Sequence, residues 1–415
     1  MFESVPIELL IAGMLALYMA WAIGANDVAN AMGTSVGSGA LTITGAILVA
    51  GILEFAGAFL AGGHVTDTVR KGMLDLDAMP PDFLIYGMLA ALASAATLLL
   101  GATRLGLPVS TTHSIVGAIV GFGAVAIGPE AVKWAKVGQI VLSWLTSPLL
   151  SGVLAFLIFG ITRALILNKA NPLAEVRRIG PFFFFYVFFI IGLVTLFKGL
   201  KHIDLDLTLG QSIAASTGLG FLGAGIGTVL LRRVNEGPKD EGQRFSQTER
   251  VFVVLQILTA CAVAFAHGSN DVANSIGPLA AIAAAVGEGA EVAGKAPVQP
   301  WMLAIGGFGI VVGLATWGYK VMETVGKKIT ELTPSRGFAA ELAAATTIVL
   351  ASRMGIPVST THTLVGAVLG VGLARGIGAV DLRVVGSIII SWIATLPIAA
   401  TLSIFFFYFF KGLLG

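Results

Sequence analysis

The stretch Trp21-Ala-Ile-Gly24-Ala-Asn26-Asp27-Val-Ala-Asn30-Ala-Met-Gly33-Thr-Ser-Val-Gly-Ser-Gly39-Ala-Leu-Thr42 puts three polar side chains where an apolar segment should continue. About 18 mostly apolar residues precede Asn26, roughly the number that carries a helix through the hydrocarbon core of a bilayer. A carboxylate at that depth costs from about 2.5 kcal/mol upward, so an acid inside such a segment is a candidate functional group. Asn26 and Asn30 are four residues apart and Asp27 and Asn30 three apart, spacings that converge on one face of a helix. That face is rich in oxygen. The glycines and hydroxyls from Gly33 to Gly39 are expected to loosen the helix, which backbone at membrane depth tolerates only when buried in protein or lining a cavity.

The rest of the chain is made of similar apolar segments. Of its 415 residues 56% are hydrophobic and 12% charged, and the mean hydropathy is +0.92, which excludes a soluble globular protein and predicts an all-α polytopic membrane protein. The 53 glycines are spread evenly, as close helix contacts and broken helices require, and do not form a flexible tract. A formal charge of +2 with no dense basic cluster points to no nucleic-acid partner. Cys261, the single cysteine, excludes an internal disulfide and a cysteine-based metal site. The N-terminus, Met-Phe-Glu-Ser-Val-Pro-Ile-Glu, is acidic and lacks the basic region of a cleaved signal, so the first apolar segment is read as a span.

Runs of about 17 to 25 apolar residues place spans near 6–31, 41–62, 83–103, 108–127, 136–162, 182–198, 208–231, 250–285, 301–322, 337–352, 357–376 and 383–410. A polar connection at 63–82, a basic loop at 163–181 and a hydrophilic stretch from Arg232 to Arg250 separate them. Two stretches recur. Gly24-Ala-Asn26-Asp27-Val-Ala-Asn30 returns 244 positions later as Gly268-Ser-Asn270-Asp271-Val-Ala-Asn274. Arg104-Leu-Gly-Leu-Pro108-Val-Ser110-Thr111-Thr112-His113 returns 249 positions later as Arg353-Met-Gly-Ile-Pro357-Val-Ser359-Thr360-Thr361-His362. Ser143-Trp144 with Pro148 has a looser echo in Ser391-Trp392 with Pro397. The chain therefore divides into a first repeat at 1–162, two linking helices with their loops at 163–249, and a second repeat at 250–415. Seven spans before the second copy reverse its direction, which predicts two inverted-topology repeats in about 12 transmembrane helices, with broken or re-entrant helices at the midplane. Parity survives if 83–127 and 337–376 are re-entrant hairpins. Loops placed inside by the distribution of basic residues hold 16 of the 25 Lys and Arg, which puts both termini outside.

Pro108-Val-Ser110-Thr111-Thr112, followed by a Gly- and Ala-rich apolar run, reads as the start of a helix with hydroxyls at its cap. A helix N-terminus offers unpaired N–H groups and the positive end of a dipole, so it suits an anion. Two copies of Ser-Thr-Thr-His would surround one small oxyanion, and two copies of Asn-Asp-x-x-Asn would offer hard oxygens to cations. Two aspartates and a divalent oxyanion bring about four negative charges into low dielectric. No lysine lies in these motifs, so bound cations must compensate, with Arg104 and Arg353 as contributors if their turns dip inward.

The Gly-Ala-Asn-Asp-Val-Ala-Asn-Ala stretch and the paired Pro-Val-Ser-Thr-Thr-His stretches resemble the inorganic phosphate transporter family usually called PiT, related to eukaryotic sodium-phosphate symporters. The likeness covers nearly the whole chain, and the short 232–250 loop resembles bacterial or archaeal members. It implies a cell (inner) membrane transporter, commonly a homodimer, that imports inorganic phosphate with sodium or protons and needs no cofactor beyond sodium as co-substrate. By that similarity, phosphate contacts fall to Asn26, Asn270, Ser110, Thr111, Thr112, Ser359, Thr360 and Thr361. Sodium ligands fall to Asp27, Asn30, Asp271 and Asn274. Ser269 and Ser275 replace Ala25 and Ala31 in the second copy and make that half more polar.

Around these residues, His113 and His362 read as imidazoles hydrogen-bonded behind the site in preference to a proton relay. Glu54 and Glu341 have no acid at the matching place in the other half; they read equally as carboxylates of an ion path and as buried hydrogen-bonding groups. The four phenylalanines after Pro181 read as lipid-facing or dimer surface, and Asp67-Thr68 and Glu323-Thr324 as caps of interfacial helices. A hydrolase with Ser110 or Ser359 as nucleophile and His113 or His362 as base fits poorly, because the pair is duplicated and an enzyme needs one site. A passive anion channel would not need two buried aspartates. A sulfate permease of the same fold and proton coupling are the alternatives within the transporter class.

Overall fold

The computed structural model describes residues 6–63, 73–75, 79–198, 207–234, 246–288, 298–327, 329–354 and 358–415. The described residues are almost entirely helical. In chain order the helices are α1 (Ile7–Ile23), a π-helical turn (Gly24–Val28), α2 (Ala29–Gly37), α3 (Ile43–Ala61), α4 (Pro81–Arg104) and α5 (Thr111–Ala126). Then come α6 (Trp134–Thr162), α7 (Pro172–Lys198), α8 (Leu209–Arg232), α9 (Gln247–Asp271) and α10 (Ala273–Glu288). The series closes with α11 (Pro300–Trp317), α12 (Tyr319–Lys327), α13 (Pro334–Arg353), α14 (Thr360–Arg375) and α15 (Leu382–Leu414).

Nine helical stretches among the described residues are long and apolar enough to cross a membrane, which makes this a multi-pass membrane protein. The remaining three expected segments are shorter or more polar. α5 and α14 have 16 residues each, about 24 Å at 1.5 Å per residue, against a hydrocarbon core of about 30 Å. α13 carries Arg336 and Glu341 within its 20 residues. Each short helix pairs with the one before it, α4 with α5 and α13 with α14, as a helical hairpin.

Among the described residues, α1 to α6 in the first half are matched in order by α9, α10, α11, α13, α14 and α15 in the second, and the packing exchanges partners between them. α3 of the first half lies on α9, and α11 of the second lies on α1 and its π-helical turn. α15 packs on α4 and α5, as α6 packs on α13 and α14. Four glycines make the first of these crossings. A Cβ on Gly24 would fall within the Ile310 carbonyl and one on Gly268 within the Glu54 carbonyl; Gly313 meets Trp21 and Gly57 meets Phe265 in the same manner. Backbone approach this close is what small residues allow between membrane helices. α7 and α8 form a pair, with Gly220, Gly223 and Gly227 seated on the rings of Phe185, Phe188 and Phe184, and α7 joins the pair to α9 and α13.

Three sequence expectations change here. The chain does not loosen at Gly33–Gly39: α2 runs on to Gly37, and the irregular backbone is the π-helical turn at Gly24–Val28, upstream of those glycines. The phenylalanine run is not one surface, because successive helical residues turn by about 100°. Phe182 is exposed, whereas Phe183 and Phe184 are buried, Phe183 against Phe252 and Phe338. Glu323 and Thr324 lie within α12 and do not cap it; Asp67 and Thr68 fall outside the described residues.

Candidate functional site

Two kinds of helix irregularity meet at the centre. The first is the break in each long segment, at the π-helical turn that carries Asn26 and Asp27 and at Val272 between α9 and α10, just after Asn270 and Asp271. The second is the start of each hairpin's short limb. Ser110 accepts the His113 N–H at 3.2 Å and caps α5, and Ser359 accepts the His362 N–H at 3.2 Å and caps α14. The two starts face one another: Thr112 Oγ1 donates to the Val358 carbonyl and Thr361 Oγ1 to the Val109 carbonyl, both at 3.4 Å.

Between these ends lie the two aspartates, both buried. Asp27 accepts from Thr111 at 2.7 Å and from Thr361 at 2.6 Å, with Thr360 at 3.5 Å. Asp271 accepts from Thr111 at 3.1 Å, from Thr360 at 3.2 Å and from the Asn270 amide at 2.7 Å. Each carboxylate is thus held by hydroxyls from both hairpins. Asn274 donates to Thr111 at 3.2 Å. Asn26 is committed to its own hairpin: its amide donates to Thr103 and to the Leu107 carbonyl, and its oxygen accepts the Val109 N–H. Asn270 keeps its Oδ1 without a hydrogen bond. The side chains of Asn30 and Arg353 lie outside the described residues, and Arg104 sits over the Trp317 ring at 5.7 Å.

One residue here was not singled out from the sequence. His267, next to Gly268, puts Nδ1 at 3.0 Å from Glu54 and Nε2 at 3.2 Å from Asp271 and 3.8 Å from Asp27. Its signal was local: it directly precedes the second Gly-x-Asn-Asp motif, where the first copy has Ile23. Glu54 is thereby joined to the centre. Glu341 is not. It projects from α13 to α2 about eight residues past Asp27, where Thr34 at 2.7 Å, Ser35 at 2.6 Å, Thr259 at 2.8 Å and Gln256 at 3.2 Å all donate to it.

His113 and His362 sit behind the helix starts. Their rings are 4.3 Å apart, and each stacks on an indole, His113 on Trp144 at 3.6 Å and His362 on Trp392 at 3.5 Å. Pro148 has no N–H to give the carbonyl of Trp144, four residues back. His362 Nδ1 takes that carbonyl at 3.2 Å. Neither imidazole bonds an aspartate, so they pack the back of the site and do not line it.

The model of the phosphate transporter family matches residues 23–403. The chain belongs to that family. A Haemophilus influenzae protein named as a phosphate permease is 47% identical over 96% of this chain and 95% of its own length. The inorganic phosphate transporter 2-1 of the Arabidopsis thaliana chloroplast is 42% identical over 97% of this chain and 72% of its own. A solved structure titled the sodium-dependent phosphate transporter superposes with a TM-score of 0.89 at 41% identity, over 98% of this chain and 99% of that one. Family and fold are those of a transporter and not of an enzyme.

Proposed function

We propose that this member of the phosphate transporter family imports inorganic phosphate together with sodium. The observation that carries the reading is the sharing of Asp27 and Asp271 by hydroxyls from both hairpins, Thr111 from one and Thr360 and Thr361 from the other. In that arrangement the cation and anion sites are one structure. Each aspartate that gains a sodium ion releases a threonine hydroxyl, and the released hydroxyls turn to the phosphate between the two helix starts. The first-turn N–H groups of α5 and α14 have no partner within their helices and add donors there. Without sodium, two carboxylates repel the anion; with an ion at each, the aspartate charges are neutralised, that repulsion is removed, and coupling follows.

In this reading Asn270, Ser110, Thr111, Thr112, Ser359, Thr360 and Thr361 surround phosphate, with Asn26 holding the hairpin that presents them. Asp27, Asp271 and Asn274 hold sodium, with Asn30 beside them. The division into a 1–162 repeat, a 163–249 link and a 250–415 repeat fits the exchanged packing, and we read the repeats as inverted in the inner membrane, with both termini extracytoplasmic and two chains per assembly.

The test is labelled phosphate uptake into proteoliposomes under an inward sodium gradient, against an equal potassium gradient, at two external pH values and with excess sulfate. Uptake that needs sodium and ignores sulfate supports the proposal. Uptake driven by a pH gradient alone reassigns the aspartates to proton coupling, and uptake of labelled sulfate in place of phosphate overturns the substrate.

A further inference from the structure

Between the two aspartates the site holds an imidazole among hard oxygens. Asp27, His267 and Asp271 each offer an atom within 4.8 Å of the others, and all three side chains are buried. Glu54 faces His267 Nδ1 at 3.0 Å. A carboxylate that accepts a hydrogen bond from the Nδ1 N–H leaves the lone pair on Nε2, the arrangement in which an outer carboxylate orients a metal-bound histidine. That Nε2 forms no hydrogen bond, although Asp271 lies 3.2 Å and Asp27 3.8 Å away. It points between the two carboxylates, where a shared cation would sit.

Sodium has little use for an imidazole. Ions such as zinc and cobalt(II) favour one, and two carboxylates with one histidine and an open position make a familiar set for them. Among the described residues the set occurs once. Gly268 contacts the Glu54 carbonyl as Gly24 contacts that of Ile310, so Glu54 corresponds to Ile310, and His267 corresponds to Ile23. The crossing that carries the first motif has no such pair.

We propose that Asp27, His267 and Asp271, with Glu54 orienting the imidazole, form a single site for a divalent transition ion that competes with sodium. The proposal rests on reading Asp27 and Asp271 as cation ligands, and it adds the ion class that the histidine selects.

The experiment uses the purified full chain in detergent, free of affinity tag, stripped with chelator and kept without sodium, and titrated with cobalt(II) as the visible probe. The expected result is a ligand-field band that saturates at one cobalt per chain, is displaced by zinc, and needs more cobalt as sodium is added. His267→Ile, the residue of the first copy, should weaken cobalt at least 10-fold, and Glu54→Gln about 10- to 100-fold, as loss of an orienting partner does. Thermal melting of each variant checks folding. No saturable band, a band unchanged in His267→Ile, or an affinity indifferent to sodium overturns the proposal. Cobalt binding is read without transport, so a protein that binds cobalt but moves no phosphate refutes the transport reading alone, and the converse refutes only this one.

Discussion

At the crossing that carries the first Asn-Asp motif, Ile23 and Ile310 stand where the crossing that carries the second has His267 and Glu54, and the same contrast recurs about eight residues further along α2. There Thr34, Ser35, Ser38, Gln256 and Thr259 gather round Glu341, with Ser38 donating to Gln256 at 2.7 Å. Applying the offsets of the repeat, the matching residues are Pro278, Leu279, Ile282, Ala12, Leu15 and Leu92. They lie on α10, α1 and α4, which pack together as α2, α9 and α13 do. One copy of the junction is a hydrogen-bonded carboxylate, the other an apolar plug. The residues around the aspartates behave differently: Asp27 and Asp271 keep their identity, Ser110 and Ser359 keep their caps, and Thr111 and Thr360 each reach both carboxylates, although Asp27 alone takes Thr361 and Asp271 alone takes the Asn270 amide. What the copies share serves the central site. What they do not share makes the two junctions unlike, one polar and one apolar.

The largest effect is expected at the shared part. Asp27→Asn and Asp271→Asn should each lower sodium-dependent phosphate uptake at least 100-fold while the protein elutes and melts as a folded species. Asn keeps the shape of the side chain and removes the charge that a cation requires. Full coupled uptake in either variant would mean that one aspartate serves structure only, and the equivalence of the halves at the centre would fail.

The glycine crossings come next. Gly24→Ala and Gly268→Ala would each drive a methyl group into a backbone carbonyl of the facing helix, of Ile310 and of Glu54. Overpacking of this kind costs about 1–3 kcal/mol or more, since backbone cannot swing aside as a side chain does. Melting temperature in detergent should fall for both by similar amounts and stay unchanged for Gly13→Ala, whose Cβ would meet nothing within 4 Å. A drop in only one of the pair would show that the two crossings are not equivalent.

Much of this was legible in the sequence, and the limits follow from its chemistry. Asp27 and Asp271 stood out because a carboxylate in an apolar segment is costly, and Ser110 and Ser359 because a hydroxyl after Pro-Val marks a helix start. The duplication made both readings firm. His267 was legible only as the neighbour of the second motif; its part in the site needed Glu54, 213 residues away in sequence, to be found beside it. Glu341 was noticed but not placed, since its donors come from α2 and α9, and only the fold joins them. The π-helical turn escaped for another reason: Gly33 and Gly39 are the visible breakers, whereas Ala25-Asn26-Asp27 would suit an ordinary helix.

The apolar junction suggests a swap of intermediate size. Glu341→Leu, the residue of the first copy, leaves the hydroxyls of Thr34, Ser35 and Thr259 and the amide of Gln256 without the acceptor they share. Orphaned buried donors cost about 1–3 kcal/mol each when they find no substitute, so a loss of several degrees in melting temperature is expected. Glu341→Gln keeps one acceptor oxygen and should lose less. The reverse change, Leu92→Glu, puts a carboxylate among Ala12, Leu15, Pro278 and Leu279 with no donor from those side chains, and should be the most destabilising of the three. Equal melting for Glu341→Leu and the parent would show that the polar junction owes nothing to its carboxylate.

The smallest contrast lies at the starts of the two long helices that close the repeats. α15 begins after Asp381, whose carboxylate accepts the N–H groups of Arg383 at 3.0 Å and Val384 at 3.3 Å. α6 begins after Lys133, which offers no side-chain cap. The backbones agree there: ψ is 95° at Asp381 and 74° at Lys133, and each position follows a one-turn 3₁₀ helix that opens on a positive-φ glycine, Gly376 and Gly128. A lysine at a helix N-terminus also opposes the dipole, which favours negative charge at that end. Lys133→Asp should therefore stabilise the chain by about 0.5–1 kcal/mol, and Asp381→Ala should destabilise it by about 1 kcal/mol, the usual worth of a cap. The two changes lie far from the aspartates, so uptake kinetics should be unaffected in both. A gain at Lys133 that matches the loss at Asp381 would show that the repeat preserves a capping geometry that only one copy uses; no gain would mean that the packing around Lys133, and not its backbone, sets where α6 begins.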